Sequence, residues 1–219
     1  MTAHALRLTE DHLAAAGRYT RPLSKLNRVL YILHGEIMVP EPARASRLGE
    51  NAAWLGSGEC TATAGPGGAT ILRYELVRAG TPVAETGVRS RPLLEHRIDL
   101  DPTRPYLMRC DRVDFDLGGE ALPHRHKGGG IRCLISGTME LKVEGEADRL
   151  MKPGEAWFES GREPVYAKAS SQESTSFIRC SILPREIRGQ SSIMYVDPKN
   201  AASKPRRYTV FVDEPIELP

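Results

Sequence analysis

Apolar and polar residues alternate along most of this chain with the period of two that marks a half-buried β-strand. The runs RVLYILHGEIMV (residues 28–39), ATILRYELV (69–77), PYLMRCDRVDFDL (105–117), IRCLISGTMELKV (131–143), TSFIRCSIL (175–183) and RYTVFVDEPIEL (207–218) carry this signal. Clusters of Gly, Pro, Asp and Asn separate them. Residues 9–16 depart from the pattern: Thr9 is placed to cap a helix, Glu10 and Asp11 to fill its first turn, and Gly17 to stop it. Strands spaced this way, with no helices alternating between them, predict an all-β sandwich or barrel and exclude a parallel α/β sheet. The last run is expected to pair with a sheet instead of hanging free.

The two halves of this pattern are related. VLYILHGEIMV is followed by NAAWLGSGECTATAG and ILRYELV, and IRCLISGTMEL by GEAWFESGREPVYAKA and FIRCSIL. Gly35 then falls on Gly137, Ala53 and Trp54 on Ala156 and Trp157, and Arg73 on Arg179 after a short slip. The expected organisation is an N-terminal arm with a short helix (1–17), a β module (18–90), a linker (91–104), a second β module (105–185), and a C-terminal extension with a terminal strand (186–219).

Composition narrows the picture. The 219 residues are 40% hydrophobic and 26% charged, enough to build a core and too apolar for disorder along the whole chain. Thirty Lys and Arg stand against 28 Asp and Glu, a net charge of +2 that gives no footprint for nucleic acid. The cluster Lys204, Arg206 and Arg207 reads as a solvated face. No apolar run approaches the ~20 residues needed to cross a bilayer, and acids stand where a secretory segment would be apolar. The expectation is a cytoplasmic protein with neither nucleic acid nor membrane as partner. Cys60, Cys110, Cys133 and Cys180 lack zinc-finger spacing and read as buried small hydrophobes.

Candidate chemistry gathers in residues 118–137, GGEALPHRHKGGGIRCLISG, where His124 and His126 lie two apart and share one face of a strand. Such a pair of imidazoles suits Fe, Mn, Ni, Cu or Zn. The same residues also fit a solvated loop beside Lys127 and the glycine run.

With these residues the second module resembles the cupin superfamily. The family's first motif runs G, five residues, HxH, three or four residues, E, six residues, G, and is matched at Gly118, His124, His126 and Gly137. Its second motif can be anchored on Gly154 in MKPGEAWFESGREPVYAKA. The resemblance implies a bicupin: two tandem double-stranded β-helix (jelly-roll) barrels, all-β with few short helices. Gly130 stands at the usual Glu place and Val165 at the place of the last His, while Ser160, Arg162 and Ala169 replace the usual Pro, Gly and Asn. In the first module the motif's His places hold Pro22 and Ser24 and its Glu place Arg28, so no metal is expected there. Trp54 and Tyr31 read as core residues.

Glu159 is the first candidate to complete a metal site or to transfer a proton, its alternative being a surface carboxylate beside a turn; Glu163 and His96 are weaker donors. The family's Glu points into the barrel, so if Gly130 takes that inward position the resemblance and strand parity together imply that Arg132, Leu134 and Ser136 face inward too. An inward guanidinium needs a partner. Asp114, Asp116 or Glu159 could serve, or the carboxylate of a ligand. Tyr166 neighbours the vacant His place and could offer a phenol at the rim, although alternation from Val165 turns it outward. The resemblance thus implies a metal-dependent, dioxygenase-like enzyme for a small acidic molecule. His124 and His126 would hold one divalent transition metal, Arg132 and Tyr166 the substrate, and Glu159 would serve catalysis. Two alternatives stand beside it: a non-catalytic small-molecule-binding or regulatory bicupin, and a metal-independent isomerase or epimerase. The family also makes a homodimer plausible.

Overall fold

The computed structural model describes residues 3–41, 45–202 and 206–219. Among them sixteen strands and two short 3-10 turns form the regular structure, and no helix is long and apolar enough to cross a membrane. The chain divides into two compact units, Met1–Thr103 with Ile216–Pro219, and Arg104–Pro215.

The first unit is built on one antiparallel sheet of β1 (His4–Leu13), β2 (Asn27–Val39), β3 (Ser46–Gly49), β4 (Ala53–Gly56), β5 (Thr63–Arg78) and β6 (Arg89–Ile98). The spatial order is β3-β2-β5-β1-β6, with β4 also paired to β2. Shifts of register between Ile32 and His34 and between Gly35 and Ile37 let the long strands β2 and β5 bend while staying paired. Gly35, at the bend inside β2, has φ 78°, and its counterpart Gly137, just after β9, has φ 70°; both need the left-handed backbone that glycine supplies. Leu30, Ile32, Ile37, Val39, Ala62 and Ile71 form the centre of this unit's core.

Two sequence expectations are corrected here. Residues 9–13 are not helical but belong to β1, which lies between β5 and β6. The acids that imitate a first helical turn are ion-pair partners of neighbouring strands. Asp11 accepts from Arg73 Nε at 2.7 Å and from Tyr19 Oη at 2.8 Å, and Glu10 pairs with Arg91 at 3.1 Å. Tertiary pairing therefore overrides the local capping signal. Residues 91–98 are likewise strand and not linker, since β6 pairs with β1 along its length.

The second unit holds β7 (Tyr106–Phe115), β8 (Glu120–His126), β9 (Gly130–Ser136), β10 (Met139–Val143), β11 (Arg149–Met151), β12 (Ala156–Glu159), β13 (Val165–Ala169), β14 (Thr175–Pro184), β15 (Ile193–Tyr195) and β16 (Arg206–Ile216). They form two five-stranded sheets, β11-β10-β13-β8-β15 and β12-β9-β14-β7-β16. The terminal run is thus an edge strand beside β7. Val113, Leu134, Met139, Leu141, Trp157 and Phe177, drawn from both sheets, supply the apolar core. All four cysteines are buried and free.

Strand pairing carries the same repeat as the sequence. The order β4-β2-β5-β1 in the first unit matches β12-β9-β14-β7 in the second. Leu30 stands opposite Trp54 and Arg73, just as Arg132 stands opposite Trp157 and Arg179.

Candidate functional site

Strand β8 turns His124 and His126 to its buried face and Arg125 between them to solvent. The two imidazoles are each 6% exposed, and their rings meet edge to face with centroids 4.9 Å apart. His124 Nδ1 lies 2.8 Å from the Leu122 carbonyl oxygen. That contact makes Nδ1 the protonated nitrogen and leaves the Nε2 lone pair for another partner. His126 Nε2 lies 3.3 Å from Glu159 Oε2, and its Nδ1 lies 3.5 Å from Ser192 Oγ. Burial lowers the pKa of His124 against the pull of Glu159, and pushes that of His126 down to about 3. Both rings are therefore neutral at ordinary pH.

Glu159 reaches the histidines from β12, where it stands directly opposite Gly130 of β9. Its Oε1 accepts a hydrogen bond from Trp157 Nε1 at 2.8 Å, and Arg132 Nη2 lies 2.8 Å from its Oε2. Glu159 Oε2 thus stands between the Arg132 guanidinium and the His126 ring. Burial alone would raise the Glu159 pKa, but the Arg132 guanidinium, with His126 and Trp157, outweighs it and holds the carboxyl well below its usual range. Arg132 Nη1 also donates to the Gly130 carbonyl at 2.6 Å.

These groups line a cavity of about 20 Å³, closed further by Phe115, Leu141, Phe177 and Tyr208. That is room for about one water. A larger cavity of about 320 Å³ adjoins it, bordered by Arg109, Asp111, Ser192 and Asp213; Arg179 and Tyr208 line both.

The structure thus brings His124, His126, Arg132 and Glu159 together. Glu159 is no surface carboxylate, being 7% exposed. Arg132 takes Glu159 as its internal acid, while Asp114 pairs with Arg112 at 2.8 Å and Asp116 is exposed. Tyr166 is not at the cavity: on β13 it lies between the buried Val165 and Ala167 and bonds Glu120 on the other face. Its expected place at the rim is corrected by the alternation of that strand. Glu163 bonds Ser160, and His96 is exposed on β6 of the first unit, so neither donates here.

Sequence reasoning missed Arg179 and Arg206. Arg179 is buried and held by both oxygens of Asp111 at 3.0 and 2.6 Å; its alignment with Arg73 was the available signal. Arg206 belongs to no solvated face, being 8% exposed at the start of β16, whereas Arg207 is exposed and Lys204 lies outside the described residues.

No family model and no curated protein sequence matches this chain. Solved structures do match its fold. AerE from Microcystis aeruginosa is 14% identical over 82% of this chain and 88% of that one, with a TM-score of 0.59. A mutant of Bacillus subtilis oxalate decarboxylase is 11% identical over 88% and 71%, with a TM-score of 0.64. A mutant of the salicylate 1,2-dioxygenase from Pseudoaminobacter salicylatoxidans is 11% identical over 94% and 74%, with a TM-score of 0.56. The all-β, antiparallel jelly-roll fold is shared with these structures. At such identities the likeness speaks for the fold alone.

Against the cupin motif, the position of Glu159 has a physical reason. A Cβ at Gly130 would stand 2.5 Å from the Cys180 carbonyl oxygen and closer still to Ser181 Oγ, so β14 leaves no room for a glutamate there. Cross-strand neighbours share a face at about 5 Å, and the carboxylate comes from the residue opposite. The place of the last cupin histidine, Val165, is apolar and faces His124 across β8 and β13. No group of three or more His, Cys, Asp or Glu among the described residues is arranged to hold a metal ion. The donor chemistry nevertheless suits one: two neutral imidazoles, one with its tautomer fixed by a backbone carbonyl, and an ionised carboxylate beside them. In the first unit the corresponding place holds Arg28, whose Nε donates to Glu75 at 2.8 Å with both side chains buried.

Proposed function

We propose that the second unit is a metal-dependent, dioxygenase-like cupin enzyme acting on a small carboxylate-bearing molecule. The observation that carries this reading is the buried trio of neutral His124, neutral His126 and ionised Glu159 around one cavity. One divalent ion of Fe, Mn, Ni, Cu or Zn would be held by His124 and His126 with Glu159 beside them, and would supply Lewis-acid or redox chemistry there. The remaining residues prepare the site. The Leu122 carbonyl orients the His124 ring, while Trp157 and Arg132 fix Glu159. Glu159 Oε2 is the atom that would take up or return a proton. Val113, Phe115, Leu141 and Phe177 give the cavity apolar walls. Two structural neighbours are named for oxalate and salicylate, which supports a small acid as substrate.

The test is turnover of small aliphatic and aromatic carboxylic acids by the full-length protein loaded with each metal in turn, followed by oxygen uptake and substrate loss. The reading expects turnover that chelation abolishes, and a fall of about 100-fold or more in kcat for Glu159→Gln with metal retained. Turnover indifferent to chelation would overturn it. A metal-free binding protein or isomerase is the second reading. It is favoured by the absence of a three-donor group among the described residues and by Arg132 standing on Glu159 Oε2.

A further inference from the structure

Three guanidinium groups line the small cavity, and two of them are neutralised. Arg132 stands on Glu159 at 2.8 Å, and Arg179 is clasped by Asp111. Arg206 is different. Its Nε donates to Tyr208 Oη at 2.6 Å and its Nη2 to Tyr195 Oη at 3.1 Å, both neutral hydroxyls. Its carbon centre lies 6.0 Å from the Phe115 ring and 5.8 Å from the Tyr208 ring. Its Nη1 is buried with no hydrogen-bond partner. Among the described residues no carboxylate pairs with it, and the undescribed positions contain no Asp or Glu.

A buried cation that keeps a terminal NH2 group unbonded is costly, and such costs are met where a ligand supplies the missing charge. The placement fits this. Tyr195, which holds Arg206, stands opposite His124 in the β15–β8 pair, and its ring lies 6.2 Å from that imidazole. Arg206 and the histidine pair therefore face one space from adjoining walls.

We propose that Arg206 is the specificity-determining residue of this site, its Nη1 donating to the carboxylate of a small monoacid or diacid whose remainder points to His124 and His126. The proposal rests on the reading of this cavity as a substrate site, and it replaces Arg132, which is committed to Glu159, as the ligand's anchor. A cavity sized for one water also requires the ligand to displace a wall. Tyr208 is 45% exposed and lines both cavities, so its movement would join the small space to the larger one.

The experiment is calorimetric titration of formate, acetate, oxalate and benzoate into the full-length protein, metal-loaded and chelated, with acetamide and benzamide as uncharged isosteres. At least one carboxylate is expected to bind and its amide not to. Arg206→Gln is expected to weaken that binding about 10- to 100-fold, and Arg206→Lys, which keeps the charge, to restore part of it. Melting temperatures of both variants separate lost binding from lost folding, and the lysine variant carries the test if the glutamine variant does not fold. Carboxylate binding equal in wild type and Arg206→Gln would overturn the proposal, as would equal binding of the amide, or no carboxylate binding at all. Arg206-dependent binding that persists in a protein unable to hold metal would instead sink the metalloenzyme reading and leave this inference standing.

Discussion

Arg132 and Glu159 form a buried pair in which each side chain is the other's compensation. The resemblance that places Gly130 inward, extended by parity along β9, made the inward position of Arg132 legible in the sequence. The identity of its partner was not, because it depends on the register of β12 against β9, which no local pattern encodes. Glu159→Gln should therefore destabilise the protein by about 3–5 kcal/mol in urea unfolding, since the buried guanidinium loses its compensating carboxylate. Replacing both, Arg132→Met with Glu159→Leu, should cost far less than the sum of the singles. The histidines add a pH dependence. An unfolded imidazole takes up a proton near pH 6.5, whereas His126 in the fold stays neutral down to about 3. Between those values the unfolded chain binds more protons, so stability rises with pH. Chelated protein is expected to lose melting temperature steadily from about pH 6.5 toward about pH 4, and His126→Asn to flatten that fall.

Strand β1 shows how an element can carry the signature of another. Thr9, Glu10 and Asp11 read as a helix cap and first turn, yet they sit in a sheet because Arg73, Ser90, Arg91 and Tyr19 converge on the two acids. Long-range partners decided the element, and they are invisible in an eight-residue window. The terminal strand β16 was legible from its alternation, but its role was not. It brings Arg206 and Tyr208 to the cavity, and its Asp213 receives both Nε and Nη2 of Arg109, at 2.8 and 3.0 Å. Deleting residues 207–219 should lower the melting temperature by more than about 5 °C, the shift expected for roughly 2 kcal/mol in a chain of this size. An unchanged melting curve would contradict its part in the sheet.

At the scale of the whole chain, the two units share a strand order but not a chemistry. The repeat was legible because Gly35 and Gly137 occupy matching positive-φ positions, and Trp54 and Trp157 matching strands. The division of labour follows from what stands at one pair of facing positions. In the first unit Arg28 faces Gly56, and the arginine is sealed by Glu75; in the second Gly130 faces Glu159, and the carboxylate turns to His126. The account therefore assigns metal chemistry to one unit only. The most direct test is elemental analysis of untagged protein purified without chelator, reporting first-row metals per chain for wild type, His124→Ala and His126→Ala. The account predicts close to one metal ion per chain in the wild type and its loss in either variant. Protein that stays metal-free after incubation with each ion, or variants that retain their metal, would contradict it.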